Sequence, residues 1–521
     1  MQYAVLFLIL LLMLSEWLRG MSSSPMIPSM LQELGDEVVQ LLLSKVFQLV
    51  GMGMLLLYFF FLLRFNAEKR GESGNPQQAW WRALEVEDLC KCLLVLWVAV
   101  RFFTEYESLP QSGEISQLLI GIDQSTNVLV LLGGVVLGQF VELAVPRSSP
   151  PRPAFARATM LGTAGFLALA SLVPNTSSFQ YWYRGQSRAM GLWCNPNTYG
   201  LLMAMGMVFA LTYLIRTFLL NRRDYRCNLP NDDSRTSKNH GLSFLIPLCI
   251  GALVFILLGT GLIRSFSRGA LLAALAGCAY VLYNLPASAE EIRLDWLGRK
   301  ATAALAWSRR NKWVLVAAGC AAATMLFTQD LNHKVARRTA SVINTKDFSW
   351  QNRLISYEGA LQIMAEHPLS GVGLGGFQRE FQQLYAPPML AEHWSIILND
   401  YLTVGMALGI PALLCFACLL WVGWNRASLC HRETSRSPNS HLPQAPPCSG
   451  SDSQSLLSLG YRGALIVLLI GFWFDGGLFK LALATPFWVF LELGRSAADE
   501  RRAPPTCSRG SSEIESPCTS A

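Results

Sequence analysis

Apolar runs of about the length needed to cross a lipid bilayer recur from one end of the sequence to the other. A helix needs about 20 consecutive apolar residues to span the hydrocarbon core. Only 15% of the 521 residues are charged. The pattern predicts an all-α, polytopic integral membrane protein with about twelve transmembrane helices. The predicted spans lie near 3–19, 43–63, 89–104, 124–144, 157–174, 198–220, 243–263, 269–284, 313–328, 400–424, 461–476 and 481–493.

Basic residues are concentrated in alternate connections between these spans. Connections of this kind face the cytoplasm in most membrane proteins, which predicts that both termini are cytoplasmic. The net charge of +7 arises largely in these short connections, so it does not indicate a nucleic-acid partner. The basic segments are 64–88, 147–157, 222–238, 293–312 and 425–460.

The spans and connections divide the chain into five predicted segments. Four N-terminal spans occupy 1–154, and five core spans occupy 155–328. An extracytoplasmic loop follows at 329–399, then the last three spans at 400–495. The remaining residues, 496–521, are rich in Ser, Pro, Arg and Glu and are predicted to form a disordered cytoplasmic tail.

The long outer loop contains a predicted amphipathic helix. Its apolar residues recur at spacings of three, four and three residues, which is typical of one helix face. The helix should end at or before His367, because Pro368 follows. We expect it to lie along the membrane surface or to cap a cavity. The predicted apolar face consists of Leu354, Tyr357, Leu361 and Met364.

Two pairs of arginines lie on the outer side, against the general charge bias. Arg264 and Arg268 lie at the turn between spans seven and eight, and Arg184 and Arg188 precede span six. Such arginines either extend to lipid headgroups or hold an anion, because a guanidinium at membrane depth is costly without a partner. Two pairs at one depth favour the anion.

Two short motifs do not indicate cofactor chemistry. Cys415 and Cys418 lie inside an apolar run, where helix packing explains them better than metal or redox chemistry. Gly371, Gly373 and Gly376 match a dinucleotide fingerprint, but no strand precedes them. We interpret them as a tight turn after a helix.

Histidines are the candidate general bases. Three of the six, His333, His367 and His393, fall in the outer loop, where one of them could accept a proton from a substrate hydroxyl. Glu392 could orient His393.

Three sequence blocks together resemble the O-antigen ligase and O-antigen polymerase family of bacterial membrane glycosyltransferases. The first is Arg188 followed by GLWCNPNTYG, and the second is SFSRGALLAALAG. The third is NRLISYEGALQIMAEHPLSGVGLGGF followed by NDYLTVGMALGIPALL. The resemblance extends over roughly 155–425, and the order and spacing of the blocks match the family.

The resemblance implies a GT-C-type membrane fold and an inverting glycan transfer from undecaprenyl diphosphate. The acceptor would be lipid A-core, a growing polysaccharide or a protein, at the outer face of the inner membrane, with no cofactor and no metal. By position, Arg188 and Arg268 would bind the diphosphate, with Arg264 as a second donor. Residues that could support this site are Arg184, Arg353, Asn195, Asn197 and Asn399.

The sequence departs from the family pattern at one position. Leu398-Asn399 stands where the family usually has His-Asn. Either His393 reaches the same place, or His367 takes the role, or the base is absent. The sequence also leaves open a transporter or flippase of lipid-linked or anionic cargo, and an inactive envelope scaffold.

Overall fold

The computed structural model is mainly helical. It describes residues 2–13, 50, 53–54, 56–61, 86–106, 115–145, 152–173, 180–183, 186–193, 195–227, 237–285, 348–373, 399–433 and 450–494. The helices are α1 (Gln2–Met13), α2 (Val86–Tyr106), α3 (Ile115–Ala144), α4 (Arg152–Ala170), α5 (Pro196–Cys227), α6 (Ser237–Ser265), α7 (Arg268–Tyr283), α8 (Phe348–Glu366), α9 (Asp400–Leu408), α10 (Ile410–Glu433), α11 (Gly450–Phe474) and α12 (Leu481–Leu493).

The all-α prediction needs one correction. An antiparallel hairpin, β1 (Gln180–Tyr183) and β2 (Gln186–Ala189), precedes α5. Tyr181 pairs with Arg188 in this hairpin. Alternating side chains and a two-residue connection suit a β-hairpin, a signal that the helix-based interpretation of this connection overlooked.

The hydropathy of the helices identifies an integral membrane protein. Three helical stretches are long and apolar enough to cross a bilayer, at Pro196–Leu219, Ile246–Ser265 and Leu456–Phe474. Shorter apolar helices lie at Leu129–Ala144, Arg268–Tyr283, Ile410–Trp424 and Leu481–Leu493. The predicted ninth span, 313–328, lies outside the described residues. The count of twelve and the membrane orientation stay predictions.

Glycines allow the central helices to approach closely. On α7, a Cβ added at Gly277 would lie 2.8 Å from the carbonyl oxygen of Gly463 on α11. Gly463 in turn approaches Val281 of α7 and the Gly277 carbonyl. Small residues at helix crossings are common in membranes, where dispersion contacts replace the hydrophobic effect between helices. This crossing holds the start of α7 next to the end of α11.

The predicted continuous span at 400–424 is wrong, because the helix breaks at Gly409. The backbone of Gly409 has a φ of +88°, which separates α9 from α10. The carbonyls at the end of α9 accept hydrogen bonds from residues that follow α8. The Val372 N–H donates to the Met406 carbonyl, and the Gly373 N–H donates to the Ala407 carbonyl. Trp97 Nε1 donates to the Leu408 carbonyl at 2.7 Å. A broken helix in a membrane needs such partners.

Helix α8 packs on this broken segment. It ends at Glu366, which confirms the predicted stop before Pro368. The predicted apolar face is partly wrong: Leu354 and Leu361 are exposed, whereas Ala360 and Ile363 are buried against Met406. Small Ala360 permits a closer approach to α9 than a leucine would.

Buried polar side chains lie at both ends of the bundle. The arginine end is where α6, α11 and the β-hairpin finish and where α5, α7, α9 and α12 begin. The opposite end contains the start of α4 and the ends of α3 and α12. There Lys91 pairs with Glu492 at 2.5 Å, and Arg152 donates to the carbonyls of Val145 and Glu492 at 2.8 Å.

Candidate functional site

The β-hairpin positions Arg188 against two elements of the arginine end. Its Nε donates to the Ser265 carbonyl at 2.9 Å, and its Nη2 donates to Asn197 Oδ1 at 2.7 Å. Asn195 caps α5, because its Oδ1 accepts from the N–H groups of Asn197 and Thr198. These bonds fix the Arg188 guanidinium at the N-terminal end of a helix.

The turn between α6 and α7 carries two further arginines. Arg264 and Arg268 flank it, and both are half-buried. Phe266 has a φ of +51°, an unusual conformation for a bulky residue, and such strain persists where surrounding contacts enforce it. Ser267 then caps α7 by accepting from the Ala270 N–H at 3.2 Å. The sequence block SFSRGALLAALAG therefore contains the start of a helix.

Asp475 is the centre of the network at this end. The Ser267 hydroxyl donates to its Oδ2 at 3.0 Å, and Arg353 Nη2 donates to its Oδ1 at 3.1 Å. Asp475 is 3% exposed. A Cβ added at Gly269 would lie 2.6 Å from Oδ2, so the carboxylate sits directly against the first turn of α7. One buried carboxylate thus joins α7, α8 and the end of α11.

A second buried carboxylate fixes the start of α9. Asp400 Oδ2 accepts from the N–H groups of Gly477 and Leu478, each at 2.6 Å. Asn399 caps the same helix through its Oδ1. Asn399 is fully buried, and its Nδ2 makes no hydrogen bond in the part of the structure that is described.

Tyr357 lies between these two groups. Its hydroxyl donates to the Trp473 carbonyl at 3.2 Å. Burial raises the pKa of the phenol, against the opposing effect of the Arg353 guanidinium and the Asn399 amide beside it. The phenol is therefore protonated near neutral pH and serves as a hydrogen-bond donor rather than a base.

A continuous series of hydrogen bonds connects the arginines. Arg188 bonds to Ser265, and the Ser265 hydroxyl accepts from the Ser267 N–H at 3.1 Å. Ser267 and Arg353 then share Asp475. Four segments far apart in sequence thus meet at one end of the bundle. The predicted residues brought together there are Arg188, Arg264, Arg268, Arg353, Asn195, Asn197 and Asn399.

Of the three predicted histidines, only His367 is described, and it lies away from this group. His367 follows the far end of α8, about 20 Å along the helix axis from Arg353. It is exposed. His393, His333 and Arg184 lie outside the described residues.

Sequence reasoning missed Asp475, Asp400 and the contact role of Tyr357. Both aspartates stand at the boundary of an apolar run, Asp475 near the end of the predicted span 461–476 and Asp400 at the start of the predicted span 400–424. An ionisable residue at such a boundary indicates a functional or paired group. Attention to acidic residues at the outer boundaries would have identified both.

The chemistry of this end suits an anion rather than a cation. Guanidinium groups bind phosphate oxygens with two parallel hydrogen bonds, and the N-terminal ends of α5 and α7 add favourable dipoles. The Asn399 Nδ2 adds a buried donor.

A comparison with protein families assigns part of the chain. Residues 253–417 match the family model described as O-antigen ligase. This segment runs from within α6 to within α10 and includes Arg264, Arg268, Arg353 and Asn399. No curated protein matches the chain.

Proposed function

We propose that this chain, which carries the O-antigen ligase domain and belongs to the O-antigen ligase/polymerase family, transfers a glycan from undecaprenyl diphosphate to an acceptor hydroxyl. The reaction would take place at the outer face of the bacterial inner membrane. The observation that carries the proposal is the hydrogen-bonded series that brings Arg188, the Ser265–Arg268 turn and Arg353 to one end of the bundle.

The arginines provide the electrostatic part of the mechanism. Negative charge on the diphosphate grows as the bond between the sugar and its phosphate oxygen breaks. Guanidinium groups held in place beforehand stabilise this charge without reorganising, and they do so strongly where water is scarce. Arg188, Arg264 and Arg268 would contact the diphosphate directly, in a reaction that needs no metal.

Arg353 and Asp475 have a positioning role in this proposal. Asp475 holds Arg353 and the Ser267 cap with its two carboxylate oxygens. The cap fixes the first residue of α7, which is Arg268. Loss of the Asp475 carboxylate would therefore displace both Arg268 and Arg353.

His393 is the proposed base. It would accept the proton of the acceptor hydroxyl while the oxygen attacks the anomeric carbon. The bonding electrons of the broken bond then pass to the diphosphate, and the anomeric configuration inverts. His393 lies six positions before Asn399 in the chain, a reach of at most about 20 Å. We favour His393 because His367 lies beyond the far end of α8.

The test is a transfer assay with purified chain, undecaprenyl-diphosphate glycan and candidate acceptors in EDTA. The acceptors are lipid A-core, polysaccharide and peptide. We expect released undecaprenyl diphosphate, and we expect Arg268→Lys to lose at least about a hundredfold in rate because a lysine cannot bind phosphate bidentately. Arg157→Lys, in α4, is the matched control and should retain full activity.

Two results would contradict the proposal. Normal transfer by Arg268→Lys would exclude a bidentate role for Arg268. Movement of the donor across a vesicle membrane without any release of undecaprenyl diphosphate would favour the transporter hypothesis instead.

A further inference from the structure

An exposed tryptophan lies next to the Asp475 network at the arginine end. Trp473 is the last residue but one of α11, and it is 48% exposed. The residue between Trp473 and Asp475 lies against the first turn of α7, because a Cβ added at Gly269 would be 2.9 Å from the Phe474 Cβ. Gly269 directly follows Arg268 in the chain. The indole of Trp473 is therefore carried by a segment that contacts the start of α7.

Two tyrosines from other helices hold the indole in place. The Tyr357 ring, on α8, lies 6.5 Å from it between ring centroids, at an interplanar angle of 67°. The Tyr401 ring, on α9, lies 5.9 Å from it at an angle of 43°. The Tyr357 hydroxyl donates to the Trp473 carbonyl at 3.2 Å, and the Tyr401 hydroxyl donates to the Leu469 carbonyl at 2.9 Å. An aromatic group that is already held in place loses little conformational freedom when a ligand binds to it.

The surroundings of Trp473 are more polar than those of an indole that faces only lipid. Tryptophan is common at membrane boundaries, and Trp421 is 67% exposed within the apolar helical stretch Ile410–Trp424. The Tyr357 phenol, which contacts the Trp473 ring, also lies beside the Arg353 guanidinium. Aromatic surface with a few polar groups next to it is typical of a ligand site.

Helix α8 relates this aromatic surface to the proposed diphosphate site. Arg353 and Tyr357 are four residues apart, which is about 6 Å along the helix axis. Arg353 belongs to the network that fixes Arg268, whereas Tyr357 contacts Trp473. A group bonded to a diphosphate on the arginines would therefore be within reach of the indole. In the proposed donor this group is a sugar ring, and its apolar, weakly positive C–H groups complement the negative face of an indole.

We propose that Trp473 binds the sugar attached to the diphosphate by stacking against the C–H face of the sugar ring. The sugar hydroxyls bond to the Tyr357 hydroxyl and the Arg353 guanidinium. The arginines thus recognise the diphosphate, and Trp473 recognises that a sugar is attached to it. The site consequently holds the donor more tightly than the bare undecaprenyl diphosphate that the reaction releases. This inference rests on the proposed function, because its ligand is the donor of that reaction.

Equilibrium binding to the purified full-length chain in nanodiscs provides the test. The probes are undecaprenyl diphosphate and undecaprenyl-diphosphate-N-acetylglucosamine, whose other ring substituents are equatorial and leave C–H groups on the ring faces. We expect the wild type to bind the sugar-bearing probe about tenfold more tightly than the bare one. Trp473→Leu should reduce this ratio to about twofold or less, with little change in affinity for the bare probe, and Trp473→Phe should keep part of the ratio.

The matched control is Trp421→Leu, which removes an exposed tryptophan of α10 and should keep the wild-type ratio. Equal affinity of the wild type for both probes, or an unchanged ratio in Trp473→Leu, would overturn the inference. Equal weakening of both probes in Trp473→Leu would also overturn it, because the residue would then act only through the fold. Transfer is measured separately. A wild type that prefers the sugar-bearing probe but releases no undecaprenyl diphosphate contradicts the proposed function and supports the sugar site.

Discussion

The substitution Asp475→Asn tests whether the hydrogen-bond network at the arginine end takes part in catalysis. Asparagine keeps an oxygen that can accept from Ser267 and has nearly the same volume. It removes the negative charge that Arg353 faces at 3.1 Å. The change therefore keeps the shape of the side chain but removes both its charge and the acceptor that Arg353 uses.

The distance between Asp475 and Arg353 allows an estimate of how much stability Asp475→Asn should lose. Two unit charges at 3.1 Å attract by about 5 kcal/mol at an effective dielectric of about 20. The Arg353 side chain is 17% exposed, so water can solvate its guanidinium in the variant and recover part of this lost attraction. Removing one partner of a buried pair costs about 3 to 5 kcal/mol. We expect a loss near the lower figure in the free energy of unfolding.

Glu492→Gln is the matched control, because it breaks a buried pair at the opposite end. Lys91 and Glu492 are each 2% exposed and lie 2.5 Å apart. Both variants should lower the unfolding temperature of the purified protein. Only Asp475→Asn should lower kcat/KM per folded molecule, by about a hundredfold, which corresponds to about 2.7 kcal/mol of transition-state stabilisation.

A double-mutant cycle tests whether Asp475 and Arg353 affect activity through their contact with each other. Arg353→Gln alone should lower activity, and Arg353→Gln with Asp475→Asn should lose less than the sum of the two single losses. If activity instead falls only in proportion to folded protein in both Asp475→Asn and Glu492→Gln, the network is structural and our reasoning about its role is wrong.

The remaining predictions concern the helix break. Gly409→Ala should lower the free energy of unfolding by at least about 3 kcal/mol, because alanine is strained at a φ of +88° and its Cβ would overlap the Leu369 carbonyl oxygen. Thermal unfolding measures this loss. The control is Gly165→Ala, which places its Cβ in open space and should show no loss of stability. Trp97→Phe leaves the Leu408 carbonyl without its indole donor and should cost about 1 to 3 kcal/mol. Exposed Trp421→Phe is the control, and equal losses in both tryptophan variants would contradict the assigned hydrogen bond.

Features set by local chemistry were predictable from the sequence. The helix that begins after Asn195 follows from a capping side chain and a proline at its first position. The stop at Glu366 follows from Pro368, and the start of α7 follows from Ser267. Each of these depends on residues within one helical turn, so a sequence pattern is sufficient.

The helix break was predictable only in part. Gly409 followed by Pro411 is a local signal for a helix end, which a hydropathy-based interpretation of 400–424 passes over because the surrounding residues are apolar. The break depends on Trp97 and on the N–H groups of Val372 and Gly373, which reach it from other segments. The buried face of α8 has a similar origin, because contact with Met406 favours small Ala360 over the larger Leu361.

The Asp475 network was hidden for the same reason. Its partners Ser267 and Arg353 are 208 and 122 residues away in the chain. A sequence without aligned relatives contains no signal that pairs such distant positions. The outer arginines could be found because they depart from the charge bias of the connections, which is visible in the local sequence. Asp475 departs from no such bias, so the local sequence does not single it out.

The composition of the arginine end supports the functional assignment. Four half-buried guanidinium groups, those of Arg188, Arg264, Arg268 and Arg353, lie there beside the N-terminal ends of α5 and α7. Asp475 holds one of them, that of Arg353, in an ion pair at 3.1 Å. Guanidinium groups and helix N-termini both bind phosphate oxygens. An anionic substrate that arrives at this end would therefore meet several suitable donors at once, and glycan transfer would take place where they hold its diphosphate.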